Sequence, residues 1–432
     1  MPDLVAASDH ATALSAPSVA AFLDRAEGVF PGGPPEAPRE GEAAIQDAVR
    51  GAYAAREPLL IHGGGTKSAM LRPVQAARTL SLASHAGITL YAPKELVFAA
   101  RAGTAMADVD AALAQAGQHM IAEPPDYARL LGATAGARQT LGGVVSANLS
   151  GPRRVAWGAV RDHVLGVRAV NGTGEIFRAG GRVLKNVTGL DLCKLLTGAH
   201  GTLGVLTEIT LKVLPAPEDS ASIVLRGLRP ESAVAVLSAA LGSPFGVSGA
   251  AHLPDAAAAR LGERGALTMI RIEESASSVA YRSAKLHAAL AAEGAAEIWE
   301  AARSVPAWRA IRDAEVLADA PADAIWRVSV RPSRGPAVLA AAAASGGAGY
   351  LDWGGGLVMV AGPATEAMHA AVTQAARAAG GVWMLLRAPA PWRAAVPVVP
   401  PEAPALSAIT RRVKAAMDPA CILNPGRIFA GV

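Results

Sequence analysis

A chain of 432 residues is more than one hydrophobic core usually holds, so two domains with connecting segments are expected. Its formal charge of +4 is spread over a chain only 18% charged, with Arg153/Arg154 and Arg411/Arg412 as pairs rather than patches; this excludes a nucleic-acid arm and leaves a mild bias toward anionic ligands, partners or lipid surfaces. The two cysteines, Cys193 and Cys421, show no CxxC spacing and no two of the nine histidines stand at metal-ligand spacing, which excludes a disulfide framework, a zinc ribbon and a ferredoxin-type cluster.

The N-terminus carries Asp3 and Asp9 where a signal peptide would be basic and then apolar. No apolar run reaches the roughly 20 residues of a membrane-spanning helix. A cytoplasmic location is expected, with membrane contact only through a partner. Residues 1–40 read as a flexible leader ending in Pro31, Gly32, Gly33, Pro34, Pro35 and Pro38. Ile45, Ala48, Val49, Ala52 and Tyr53 then repeat at helical spacing. A short strand over Leu59–His62 runs into Gly63-Gly64-Gly65-Thr66-Lys67-Ser68. Further strands are predicted over residues 88–91, 96–100, 164–170 and 175–178, and a helix over 106–116. Residues 208–214 alternate, with Ile209, Leu211 and Val213 on one face. Pro215 and Pro217 close that segment and mark a domain boundary. Beyond it, alanine-rich helices (232–241, 280–293) alternate with strands (267–272, 325–330, 357–360), which reads as a second, α+β domain. A helix over 407–417 leads into a terminal segment, and no internal repeat of convincing period is visible.

The 63–68 loop follows a strand, and its glycines let the backbone approach a ligand and aim N–H groups at phosphate oxygens. It lacks the glycine spacing of a nucleoside-triphosphate loop, and a simple tight turn is the alternative reading. More glycine-dense turns follow in order: TLGGVVSANLSGP (140–152), WGAVRDHVLG (157–166), LKNVTGLDL (184–192) and GTLGVLTEITLKVLP (201–215). A Gly-x-Ser-x-Gly nucleophile elbow and a Rossmann Gly-x-Gly-x-x-Gly after the first strand are absent, so hydrolase and NAD-enzyme readings rank low.

The five motifs in this order resemble the FAD-binding domain of the vanillyl-alcohol-oxidase/p-cresol-methylhydroxylase (PCMH) superfamily, most nearly its glycolate oxidase branch. The terminal Ile422-Leu423-Asn424-Pro425-Gly426-Arg427 is similar to that branch's end segment. Residues 325–330 and 350–356 are similar to the smaller FAD-binding subunit of glycolate dehydrogenase. The resemblance implies an α+β fold: a PCMH-type two-subdomain FAD domain over 41–217, a smaller α+β cap over 218–406, and a segment over 407–432 returning to the FAD domain. It implies that Gly63, Gly64, Gly65, Thr66, Lys67 and Ser68 cradle the pyrophosphate, and that Gly142, Gly143, Ser146 and Asn148 line the flavin and its ribityl chain. It further implies that Arg161, Asp162 and Val164 hold the dinucleotide, that Gly201, Gly204 and Val205 meet its far end, and that Asn424 approaches the isoalloxazine. Thr66 and Lys67 stand where relatives can carry a flavin-linking histidine, so FAD is expected to be noncovalent. The implied partners are a larger catalytic flavoprotein and an iron–sulfur subunit, and the implied substrate is a small 2-hydroxy acid.

Oxidising such an acid needs a base, a cation for the carboxylate and flavin N5 as hydride acceptor. The His-x-Gly-Asp-Gly-Asn-x-His motif of the larger catalytic relatives is absent, and His200 stands where they carry glutamate. Arg327 and Arg331, on one face of the predicted 325–330 strand and its extension, are candidate carboxylate binders; a solvated sheet face is the alternative. His200 is a candidate proton carrier or donor, with a structural role as the alternative. Cys193 reads as a small packed side chain. Three functions follow: an FAD-holding subunit of a glycolate dehydrogenase complex, a self-sufficient FAD-dependent 2-hydroxy-acid dehydrogenase, or a non-catalytic scaffold of the same fold.

Overall fold

The computed structural model describes residues 37–181, 190–318 and 322–432. The leader expected over 1–40 and the 184–192 motif therefore fall largely outside the described residues.

The first unit begins with helix Glu42–Ala55, where Ile45, Val49 and Ala52 of the predicted apolar stripe are buried, Ala48 is half-buried and Tyr53 is exposed. Strand β1 (Leu59–His62) pairs in parallel with β2 (Arg78–Ser81). A five-stranded antiparallel sheet follows, built from β3 (Ile88–Ala92), β4 (Val97–Arg101), β6 (Val164–Val170), β7 (Ile176–Gly180) and β8 (Val205–Lys212) in the order β3-β4-β8-β6-β7. The short β5 (Gln118–His119) pairs with β9 (Leu214–Pro215) beside it. Alternation in β8 sends Ile209 and Leu211 into a core with Phe98, Val109, Leu141, Val144 and Val167. Arg168 and Glu42 pair within this unit at 2.8 Å, both buried, and Thr207 donates to the same carboxylate at 2.6 Å. Burial alone would raise Glu42, but Arg168 and Thr207 bring it down to about 2.

After Pro215 the chain enters a second sheet of eight antiparallel strands: β10 (Asp219–Arg226), β11 (Val247–Leu253), β12 (Leu267–Glu274), β13 (Ala296–Trp299), β14 (Ala324–Ser329), β15 (Ala348–Asp352), β16 (Leu357–Gly362) and β17 (Val382–Arg387). Their order is β13-β10-β12-β11-β15-β16-β14-β17. The order is a mirrored repeat. Strand–helix–strand–strand–helix–strand runs from β10 to β13 through helices Pro230–Leu241 and Ala276–Ala289, and again from β14 to β17 through Gly335–Ala344 and Glu366–Ala378. The two units join edge to edge where β11 pairs with β15 at His252 and Leu351.

One face of this sheet packs on the first unit: Met70, Leu71, Tyr127, Leu130 and Leu149 share a core with Met269, Tyr350 and Met359. Four charges also cross the seam, Glu123 and Arg271 buried and Arg153 and Glu273 half-buried. Arg271 of β12 forks onto Glu123 at 3.0 and 2.9 Å. Arg153 forks onto Glu273 at 2.9 and 2.7 Å, and Arg271 Nε lies 3.2 Å from the same carboxylate. Burial would raise Glu273, but Arg271 and Arg153 hold it at about 2. The sequence pair Arg153/Arg154 thus divides: Arg153 joins the seam, and Arg154 stacks on Trp353 at 4.6 Å.

Candidate FAD cleft

The 63–68 loop, the start of helix Leu141–Ala147, the 200–206 turn and the C-terminal segment line one cleft. The loop leaves β1 and passes so close to residues 138–140 that a Cβ on Gly64 would lie 1.8 Å from the carbonyl oxygen of Arg138. Only glycine fits there. Thr140 caps the helix by accepting from the Gly143 amide at 3.3 Å. Opposite, His200 and Gly201 take left-handed backbone conformations that turn the chain into β8.

Asn424 knots these parts together. Its Oδ1 accepts from the Ile61 amide at 2.7 Å, and its Nδ2 donates to His200 O at 2.9 Å. Leu59 donates to Ile422 O at 2.7 Å and Asn424 to Leu59 O at 3.1 Å, so the terminal segment adds a parallel bridge to β1. Asp418 sets this segment, accepting from Ile422 N at 3.1 Å and Leu423 N at 2.8 Å. Lys414 completes the knot, donating to Asp418 at 2.8 Å, Thr202 O at 2.7 Å and Leu423 O at 3.0 Å.

The cleft is cationic. Its lining includes Lys67 and Arg427 and no carboxylate. Arg427 donates to Lys67 O at 2.8 Å and to Ser68 O and Arg72 O at 3.1 Å each, which fixes the loop's shape. Lys67 Nζ donates to Gln139 Oε1. Burial lowers Lys67 to about 8, against the pull of Asp126, and burial with Arg393 lowers Arg427 to about 10. Burial, Arg427 and Lys67 push His200 down to about 3, so it is neutral near pH 7. Cations whose charge burial disfavours, beside backbone that admits no Cβ, form a receptor for an anion brought against main chain. The pyrophosphate of a dinucleotide has that chemistry, so these residues fit FAD.

Of the residues singled out from sequence, Gly63, Gly64, Gly65, Thr66, Lys67, Ser68, Gly142, Gly143, Ser146, His200, Gly201, Gly204, Val205 and Asn424 line this cleft. The rest lie elsewhere. Asn148 accepts from the Arg161 amide at 3.0 Å, and Asp162 turns back to cap Ala159 N at 2.7 Å. Val164 is buried in the first core, and the Arg161 side chain lines a separate groove beside helix Pro404–Met417. Arg427, Gln139 and Thr140 were not read from the sequence as site residues. Arg427 stood in the quoted terminal motif, but no spacing rule said that it would reach back to residue 67.

Arg327 and Arg331 do not act as a pair. Strand β14 ends at Ser329, and Arg331 is exposed beyond it. Arg327 faces the first unit in a row across the sheet with Tyr350, Met359 and Met384. Its buried Nε has no hydrogen-bond partner, and its guanidinium lies over Trp353 at 4.8 Å. The solvated-face reading is thereby corrected for Arg327: docking of the two units covers that sheet face. Burial lowers its pKa. Between the units a further cavity of about 690 Å³ is bounded by His119, Gln139, Arg153, Glu273, Arg309 and Arg312. Gln139 thus stands between this cavity and Lys67. Cys193 is buried, with burial raising its thiol to about 11, and packs as expected.

The fold and cleft define an FAD-dependent oxidoreductase of the PCMH type. Residues 39–180 match the FAD binding domain family. p-Cresol methylhydroxylase with substrate bound superposes at a TM-score of 0.65 over 95% of this chain and 93% of that one, at 13% identity. The glycolate oxidase subunit GlcE of Escherichia coli (strain K12) is 34% identical over 387 residues, 90% of this chain and 97% of the relative. The chain therefore belongs to the GlcE family of glycolate oxidase subunits, and its cofactor is FAD. The glycolate oxidase subunit GlcD of Bacillus subtilis (strain 168) is 40% identical over 85 residues, only 20% of this chain and 18% of that one. Among the described residues no helix is long and apolar enough to cross a membrane.

Proposed function

We propose that this chain is the FAD-holding subunit of a glycolate-oxidising complex, working beside a larger catalytic flavoprotein and an iron–sulfur subunit. FAD supplies a two-electron acceptor that can release electrons singly. The chain's own work is to hold it: residues 63–68, Gly142, Gly143, Ser146, Gly201, Gly204 and Val205 surround it with main chain, Lys67 and Arg427 balance its phosphates, and Asn424 fixes the far wall. Asn148, Arg161, Asp162 and Val164 support the dinucleotide from behind that shell. The observation that carries the reading is the cationic, carboxylate-free cleft closed by the C-terminal segment. Noncovalent attachment fits the lining, whose histidines are His62, in contact with Gly63 O at 2.6 Å, and His200, and which includes no cysteine or tyrosine. The reading places the chain in the cytoplasm, at a membrane's inner face only through its partners.

Absorbance of the purified chain tests it. Flavin bands near ~375 and ~450 nm that pass into the supernatant on acid precipitation support noncovalent FAD; a colourless protein that takes up no added FAD removes the reading's basis. Turnover of a 2-hydroxy acid by this chain alone is a second reading, favoured by Arg327, whose buried Nε has no acceptor. Glycolate-dependent dye reduction by the isolated chain, abolished in Arg327→Met with the flavin spectrum intact, would establish it. No reduction until the larger flavoprotein is added favours the first.

A further inference from the structure

Helix Pro404–Met417 is held to the molecule by its last turn. Lys414 and Met417 are buried, whereas positions 404–412 are exposed or half-buried. In proteins a helix draws most of its stability from covering an apolar face, and this one leaves such a face bare. Leu406, Ile409 and Val413 form a stripe at helical spacing, with Leu406 52% and Ile409 38% exposed. The stripe runs into a groove of about 360 Å³ whose other apolar walls include Leu195, Leu203, Ile428 and Phe429. The charged side chains in that lining are Arg161, Lys194 and Lys414, with no acidic side chain among them. Lys194 donates to backbone carbonyls of Arg161 and Val164. The helix carries Arg411 and Arg412 and no acidic residue.

We propose that this groove and stripe dock the larger flavoprotein subunit, which inserts an apolar side chain flanked by carboxylates. The inference rests on the complex-subunit reading above. The concave groove accepts a side chain, while two exposed apolar residues would give a bilayer little to bury. Its position also joins it to the cofactor. Gly198, Ala199, Thr202 and Leu203 wall the groove, and His200, Gly201 and Gly204 of the same turn wall the FAD cleft. Lys414 ties the docking helix to that turn at Thr202 O. A partner that stiffens the helix stiffens the FAD wall, and linkage makes the effect reciprocal.

The test titrates the full chain, loaded with FAD, against the cognate larger flavoprotein purified with its own FAD. Leu406→Glu/Ile409→Glu is expected to bind about tenfold more weakly or worse with its flavin spectrum unchanged. Tyr281→Glu, at an exposed position of the second unit, is expected to bind as wild type. Added salt is expected to weaken the wild-type complex. Unchanged affinity in the double variant overturns the proposal, as does a double variant that loses only its binding to vesicles of anionic phospholipid. If wild type itself fails to bind, the complex-subunit reading falls with it, a result visible before any variant is measured.

Discussion

Desolvation moves the pKa values of Lys67 and Asp352 in opposite directions, and pH separates them. Lys67 loses its proton near pH 8 rather than near 10.5. On the proposed reading it is, below pH 8, a cation facing the phosphates, and above it that attraction fades, so FAD affinity is expected to fall between pH 7 and 9. In the apo-protein the sign reverses. The folded chain binds fewer protons than the unfolded one between about 8 and 10.5, so this residue adds stability as pH rises through that window. Fluorescence titration of FAD and urea unfolding of apo-protein at both ends check the pair; Lys67→Met should show weak, pH-independent FAD binding. Asp352 is raised to about 7, chiefly by burial, against the Trp353 amide and Arg271. Its folded form binds the extra proton, so stability falls as pH climbs from about 4 through 7. Asp352→Asn is expected to raise the thermal midpoint at pH 8 and to leave it nearly unchanged at pH 4. Of these features, the place of Lys67 in the glycine-rich 63–68 loop was legible in the sequence, and the burial that shifts Lys67 and Asp352 was not. Burial is set by what docks on a side chain, which the sequence does not state.

Helix Pro404–Met417 shows how an element's spacing can be read correctly while its setting is missed. Lys414 and Asp418 stand four apart, an arrangement usual for exposed helical pairs worth about 0.2–0.5 kcal/mol. Here Asp418 is 1% and Lys414 5% exposed, and between them they bind four backbone groups and each other. Asp418→Ala leaves a buried ammonium unpaired and two amides without acceptors, so a loss of about 3–5 kcal/mol is expected in urea unfolding, with FAD occupancy falling alongside. Lys414→Met/Asp418→Leu removes both charges and should recover part of the stability but not FAD binding, because Asn424 remains unset. Strand β8 is the opposite case. Its alternation was plain in Ile209, Leu211 and Val213 because a half-buried strand writes its geometry directly into residue order.

The whole molecule holds a repeat that the sequence conceals. The β10–β13 and β14–β17 units share one topology, yet a repeated topology needs only apolar residues at strand and helix periods, and many sequences supply those. The extent of the second sheet was therefore illegible, although its α+β character was not. The docking of the two units was equally hidden, because Glu123, Arg153, Arg271 and Glu273 look like ordinary surface charges until they meet. Glu273→Gln should unbalance the quartet, and calorimetry is expected to resolve two transitions where wild type gives one. A single unchanged transition would show that the apolar seam alone couples the units. The strand that bears the phosphate loop has a timing consequence of its own. Leu59 is bridged by Leu423, and Ile61 is hydrogen-bonded to a side chain 363 positions later. During synthesis the first unit can fold around most of its core, but the proposed dinucleotide seat lacks a wall until residues 418–427 leave the ribosome. Loading with FAD is accordingly expected only after those residues emerge, and a nascent chain stalled before Asp418 should emerge folded in its sheets and unable to retain flavin.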